Sequence, residues 1–295
     1  MFSAKAQNSL IPQRVLFFNM PPFLSADIVD IYYEDHGDSK SYPLVLIHPI
    51  GGNILIWHQE IPLLLKNGFR VIAYEIRGHH RTVMGPAKAY AMRDLVNDLT
   101  LLLEHLNIKK CTIIGHSIGG IIASMYAAQS PDIVDAIVLI NSSPKQFQEG
   151  DLEKHFNTRR IAIKEGIASL AEHGLKRFDE SRVLFKNKKH SDFFREMFTK
   201  TSVDGFIAAT LALYTIPKDV VQRLQSNGTK ILAIVGSEDD AFMRLLSETK
   251  EEMPEMELRI LEGSDHWMII EKPEEGLEML VDFLKKMELF NLRDI

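Results

Sequence analysis

The sequence predicts an α/β protein: a doubly wound, mostly parallel sheet with a helical block inserted between its later strands. Three observations predict it. Short apolar runs recur along the chain: Leu44-Val45-Leu46-Ile47, Val71-Ile72-Ala73-Tyr74, Thr112-Ile113-Ile114, Ala136-Ile137-Val138-Leu139-Ile140 and Ile231-Leu232-Ala233-Ile234-Val235. Runs of this kind mark strands buried on both faces, as a parallel sheet requires. Amphipathic stretches of helical length lie between them, and strand–helix alternation is the pattern of a doubly wound sheet. The alternation stops after Asn141, leaves residues 144 to about 226 with helical patterns and no strand, and resumes at Lys230.

Taken in order, residues 1–19 differ in character from the rest of the chain and read either as a short N-terminal extension or as residues ahead of a start at Met20, which opens a complete domain start. Asp27 to Glu34 suits a strand, closed by the turn residues Asp35-His36-Gly37-Asp38. In residues 92–106, Met92, Leu95, Val96, Leu99, Leu102, Leu103 and Leu106 recur at three- and four-residue spacing, which predicts an amphipathic helix. A second helix is expected over Ile121–Gln129. The inserted block carries helical patterns at Ile161–His173, Ser191–Thr199 and Asp204–Tyr214. A strand at Leu258–Leu261 and a terminal helix at Glu274–Lys286 complete the chain. The expected organisation is therefore a core of residues 20–143 and 227–295, with residues 144–226 as a helical cap. Such a cap would lie over the carboxyl ends of the strands, where open sheets bind ligands.

Composition narrows the function. The 295 residues are 45% hydrophobic and 25% charged, an ordinary balance for a folded domain. With 34 basic against 40 acidic side chains the net charge is −6, which argues against a nucleic-acid surface, since those carry a basic excess. No apolar stretch reaches the roughly 18–20 residues of a membrane span. The N-terminus shows no secretory pattern, and a cytoplasmic location is expected. The single cysteine, Cys111, opens an apolar strand and reads as a small core residue. The sequence assigns no oligomeric state.

The strongest chemical signal is Gly115-His116-Ser117-Ile118-Gly119-Gly120, directly after a buried strand and directly before a helix. A serine on such a turn adopts a strained backbone, and flanking glycines let neighbouring segments approach. The turn projects the hydroxyl outward and leaves the Ile118 N–H at a helix N-terminus, where it can meet an oxyanion. A serine hydroxyl needs a base. His266, in Gly263-Ser264-Asp265-His266-Trp267 before the terminal helix, is the candidate. An acid should fix that imidazole, and Glu238, Asp239 and Asp240 all follow the strand 231–235.

These segments resemble the α/β-hydrolase family, serine-nucleophile branch, over roughly residues 20–288. Leu46-Ile47-His48-Pro49-Ile50-Gly51-Gly52 is similar to the family's loop after the third strand, usually His-Gly-x-Gly. Glu75-Ile76-Arg77-Gly78-His79-His80-Arg81-Thr82 resembles its Asp-x-Arg-Gly-His-Gly-x-Ser segment. Gly236-x-x-Asp239 matches its acid loop, and His266-Trp267 with Glu271-Lys272-Pro273-Glu274-Glu275 its histidine loop. The resemblance implies Ser117 as nucleophile, His266 as general base and acid, and Asp239 as orienting acid with Asp240 in reserve. It implies the backbone N–H groups of Ile50 and Ile118 as oxyanion donors. Pro49 stands where glycine is usual and has no N–H, but the donor lies one residue later. Serine at 117 separates this chain from the family members that open epoxides or displace halides, which use aspartate there.

No cofactor is implied, and His48, His79 and His80 show no metal-ligand spacing, so no metal site is expected. Trp57 and Trp267 are the candidate pocket-lining residues. Aromatic residues of the block, among them Phe178, Phe185, Phe193, Phe198 and Phe206, should build the cap's own core and make the cleft apolar. The stretch Arg160-Ile161-Ala162 to Gly166, with Ala168-Ser169-Leu170-Ala171, is similar to the cap of the 3-oxoadipate enol-lactonase-like subgroup. The expected substrate is a small or medium carboxylic ester or lactone. A carbon–carbon bond hydrolase, a perhydrolase and a ligand receptor of low turnover would use the same triad.

Overall fold

The computed structural model describes residues 23–26, 29–85, 87, 89–178 and 187–287. Among the described residues eight strands form one sheet: β1 (Phe23–Ala26), β2 (Val29–His36), β3 (Pro43–Ile47), β4 (Arg70–Tyr74), β5 (Cys111–His116), β6 (Val134–Ile140), β7 (Lys230–Gly236) and β8 (Glu257–Leu261). Their spatial order is β1-β2-β4-β3-β5-β6-β7-β8. The β1–β2 and β2–β4 pairs are antiparallel and every later pair is parallel. The apolar runs fall on β3 to β7, and every residue of β4 and β5 is buried. Strand β1 has no counterpart among the runs, because a four-residue antiparallel edge needs no continuous apolar pattern. Residues 1–19, Asp27, Ile28 and Phe185 lie outside the described residues.

The helices are α1 (Glu60–Lys66), α2 (Met92–His105), α3 (Ile118–Gln129), α4 (Glu149–Phe178), α5 (Lys188–Phe198), α6 (Val203–Ala212), α7 (Val220–Ser226), α8 (Asp240–Glu252), α9 (Met268–Glu271) and α10 (Pro273–Lys286). Helix α2 covers the predicted apolar stripe, and Asp94 steadies its first turn by accepting the Ala91 N–H at 2.7 Å. Helix α3 begins at Ile118 rather than Ile121, directly on the serine turn. Helix α4 runs well beyond the predicted Ile161–His173 and bends at Gly166, whose φ of 85° is left-handed. Residues alternate along each strand between two core layers: Val45 and Ile47 join α2 and α3 on one face, Leu44 and Leu46 join α1 and α10 on the other.

The helical block is seated on loops that follow β3 and β4. Ser202 donates to the Gly78 carbonyl from both its N–H (3.1 Å) and its hydroxyl (2.9 Å), and Asn53 Nδ2 donates to the Met197 carbonyl at 3.2 Å. At Gly205 a Cβ would stand 2.2 Å from the Gly78 oxygen, so the two backbones touch. Among the described residues no helix is long and apolar enough to cross a membrane. Cys111 is buried in β5, and burial pushes its thiol up to about 12.

Candidate active site

The turn between β5 and α3 is built around Ser117, which holds φ 54° and ψ −119°. A non-glycine residue occupies that region only when its surroundings enforce it. Here three things do. The Ser117 N–H donates to the Ile140 carbonyl at the end of β6 (2.9 Å), and the Ser142 hydroxyl donates to the Ser117 carbonyl (2.6 Å). The glycines let the turn close: a Cβ at Gly115 would lie 2.2 Å from the Gly119 carbonyl carbon, and one at Gly119 would lie 2.2 Å from the Ile47 oxygen.

His266 lies beside this turn. Its Nδ1–H donates to Asp239 Oδ2 at 2.7 Å. The same oxygen accepts Asn141 Nδ2 at 2.7 Å, and Oδ1 lies 3.5 Å from the Phe242 N–H. Burial drives the Asp239 carboxyl upward, but the His266 charge and these donors outweigh it and hold it below the usual carboxylate range. Burial likewise works to lower the His266 pKa, and the Asp239 carboxylate outweighs it, leaving the imidazole above its ordinary value. Asp240, one residue on, is exposed. Of the three carboxylates after β7, Asp239 alone is paired with the imidazole. Among the described residues no hydrogen bond joins the Ser117 hydroxyl to His266; contacts of this kind often tighten only when substrate binds.

The histidine loop is fixed from two sides. Glu271 accepts the Ser264 hydroxyl (2.9 Å) and the Asp265 N–H (2.7 Å). From the serine turn, His116 Nε2–H donates to the His266 carbonyl at 2.7 Å. Burial holds the His116 pKa down to about 3, so the ring is neutral and keeps that proton. Phe242 stacks on the His266 ring at 5.5 Å and 17°.

Two backbone donors have no acceptor among the described residues: the Ile118 N–H at the start of α3, and the Ile50 N–H after β3. Neutral histidines hold the loop that carries Ile50. The Gly51 N–H donates to His79 Nε2 (3.1 Å), so the His79 proton sits on Nδ1 and points to the Arg77 carbonyl at 3.2 Å. The Ile76 N–H donates to His48 Nε2 (3.0 Å), leaving its Nδ1–H for the Pro49 carbonyl at 2.8 Å. Burial lowers His48 to about 4 and His79 to about 3, so both stay neutral at physiological pH. Among the described residues no group of three or more His, Cys, Asp or Glu could hold a metal ion.

The two tryptophans part company. Trp267 contacts His266, His116, Phe194 and Phe198 edge-on, linking the histidine loop to α5. Trp57 has no exposed surface and lies in the core layer with Ile61, Leu64 and Phe69, so its role is packing and not the lining of a pocket. It closes a one-turn helix, Ile54–Trp57, in which Ile54 and Ile56 are buried with it. Sequence reasoning missed Asn141, Phe242 and the structural part of His116. A polar residue closing the apolar strand β6, at the sheet's ligand-binding end, was the available signal for Asn141.

A family model for the alpha/beta hydrolase fold matches residues 42–273. The chain belongs to the α/β hydrolase fold family. A crystal structure from work on carboxylesterases of the ammonia-oxidizing thaumarchaeon Nitrososphaera gargenis is 68% identical, covers 90% of this chain and 99% of that one, and has a TM-score of 0.88. The 3-oxoadipate enol-lactonase 2 of Acinetobacter baylyi is 25% identical over 75% of this chain and 80% of its own length. The putative carbamate hydrolase RutD of Variovorax paradoxus is 31% identical over 39% of this chain, a match that spans 43% of that relative.

Proposed function

We propose that the protein is a carboxylic-ester hydrolase that cleaves small or medium esters or lactones through an acyl-enzyme on Ser117, with residues 144–226 as its cap. The carrying observation is the strained Ser117 turn set against a buried His266–Asp239 pair. The carboxylesterase likeness at 68% identity supports the substrate class.

In this reading, His266 Nε2 takes the Ser117 proton as the oxygen attacks the ester carbonyl. The carbonyl π electrons move to oxygen, and the N–H groups of Ile50 and Ile118 stabilise that oxyanion. The tetrahedral adduct collapses, the C–O bond to the leaving group breaks, and His266 returns the proton to the departing alkoxide. Water repeats the sequence on the acyl-enzyme, releasing the carboxylic acid and restoring Ser117. Asp239 keeps the imidazole in the tautomer with its free lone pair on Nε2 and stabilises the imidazolium. In a lactone the leaving alkoxide stays attached to the acyl group.

Ser117→Ala should lower kcat for 4-nitrophenyl butyrate by about a thousandfold or more, because nucleophile and base act as a unit. A variant that keeps most of its activity, with a melting temperature like that of the parent, would overturn this mechanism.

A further inference from the structure

Two residues that follow neighbouring strands hold a positive φ that side chains rarely adopt: Ser117 after β5, at 54°, and Asn141 after β6, at 42°. The peptide unit joining Ile140 to Asn141 ties both sides of the site together. Its carbonyl accepts the Ser117 N–H at 2.9 Å. Its N–H donates at 2.9 Å to the Ile234 carbonyl on β7, the strand that leads to Asp239. The Asn141 side chain then reaches the acid itself. Nδ2 donates to Asp239 Oδ2 at 2.7 Å, and His266 Nδ1–H meets the same oxygen at 2.7 Å. An ionised carboxylate only accepts, so the amide must turn its NH2 group towards it. Its own Oδ1 is left buried with no donor among the described residues.

Two unfavourable features therefore meet at one residue, a rare φ and an unfilled buried acceptor. An apolar side chain of similar size would remove the second. What the amide provides in exchange is one donor on one oxygen, the oxygen that faces the imidazole. The acid's other donor, the Phe242 N–H, lies 3.5 Å from Oδ1 and leaves the shared oxygen alone. A hydrogen bond to a carboxylate draws off part of its charge and leaves less to favour the imidazolium beside it. The other charged groups facing His266 act in the opposite sense: Asp265 and Glu271 add to Asp239 in favouring the protonated ring. The His116 ring, 5.3 Å away, is neutral. Asn141 thus works against three carboxylates.

We infer that Asn141 is a positioning residue that moderates the acid: by sharing Asp239 Oδ2 with His266, it limits how firmly the carboxylate holds the imidazolium. The base is then freed of its proton for the next attack. This rests on the hydrolase reading above and adds a further side chain that acts through Asp239.

Asn141→Leu keeps the volume and removes the donor. With 4-nitrophenyl butyrate, the acid limb of kcat/KM should move up by about half a pH unit or more, opposite to the direction expected for Asp239→Asn. A merely structural role would lower the plateau or the melting temperature and leave the limb in place. A limb that is unmoved or displaced to lower pH would overturn the inference. Titration of the His266 imidazole by NMR should show the same rise and needs no substrate. Failure of the parent to cleave the ester would strike at the hydrolase reading and leave that titration to decide the present one. A measurement on the unmutated protein does not depend on the variant folding. One Asn141 side-chain amide proton should shift with the midpoint at which His266 titrates, because both groups donate to one oxygen. An amide proton that stays still through that titration would also overturn the inference.

Discussion

Asp239 and Asp240 are adjacent in sequence and differ in one respect that decides their chemistry. Asp239 is 7% exposed and shares its carboxylate among an imidazole, an amide and a backbone N–H, while Asp240 faces water. Asp239→Asn should therefore cut kcat/KM by about two orders of magnitude or more, and Asp240→Asn should change it little. The same pairing fixes the pH profile. A general base acts only when neutral, and Asp239 raises the His266 pKa, so the acid limb of kcat/KM should lie above the ordinary imidazole value near 6.5. In Asp239→Asn the residual activity should show that limb moved to lower pH. A limb that stays in place would mean that Asp239 does not govern the imidazole. The proposed nucleophile and base were legible as candidates in the sequence because each sits in a short local pattern. The identity of the acid rested on resemblance alone, since only the fold tells a buried carboxylate from its solvated neighbour. Asn141 was invisible for the same reason: its contact with Asp239 spans 98 positions along the chain.

Among the elements, glycines decide how closely backbones approach. Gly205 lies inside α6, where alanine would ordinarily favour the helix by about 1 kcal/mol. Here an added methyl would sit 2.2 Å from the Gly78 oxygen and 2.5 Å from its Cα, and main chain cannot step aside as a side chain can. Gly205→Ala should lose about 1–3 kcal/mol of stability in a denaturant titration. Gly174, also within a helix but with no atom nearer than 4.0 Å to the position of its Cβ, is the control: Gly174→Ala should be neutral or stabilising. Equal effects from the two would show that the seat of the block is softer than this contact implies. Sequence periodicity marked three helices of the block but fell short of the length of α4 and did not mark α7. It gave no sign of the bend at Gly166 or of the Gly78–Gly205 contact, because a glycine has no side chain through which a pattern can announce a neighbour.

At the scale of the whole molecule, the alternating burial of β3 to β7 joins two core layers, and this architecture was legible from the apolar runs. One charged group sits within it against expectation. Glu60, at the start of α1, is 4% exposed, and its Oε2 has no partner. It faces Ile140, Met268, Ile269 and Leu280, and burial pushes its pKa up to about 8. A carboxyl raised in the folded state contributes stability that is complete below the unfolded pKa near 4.5 and is lost as pH rises towards 8. Between those values the loss runs at about 1.4 kcal/mol per pH unit. Glu60→Gln removes this dependence, so its melting temperature should exceed that of the parent at pH 8 and match it at pH 5. A constant difference at both pH values would show that Glu60 does not titrate in that window.

The meeting of Gly78 with Gly205 also bears on how such an enzyme can change. The join between sheet and block is made there by main chain, which mutation of side chains leaves intact. This part of the attachment does not depend on which side chains the block carries, unlike the hydrogen bonds made by the Ser202 hydroxyl and Asn53. If the block is the proposed cap, side chains of α4 outside the core can be exchanged to alter what is admitted while this contact keeps its shape, whereas Phe194 and Phe198 of α5 are held by their packing on Trp267.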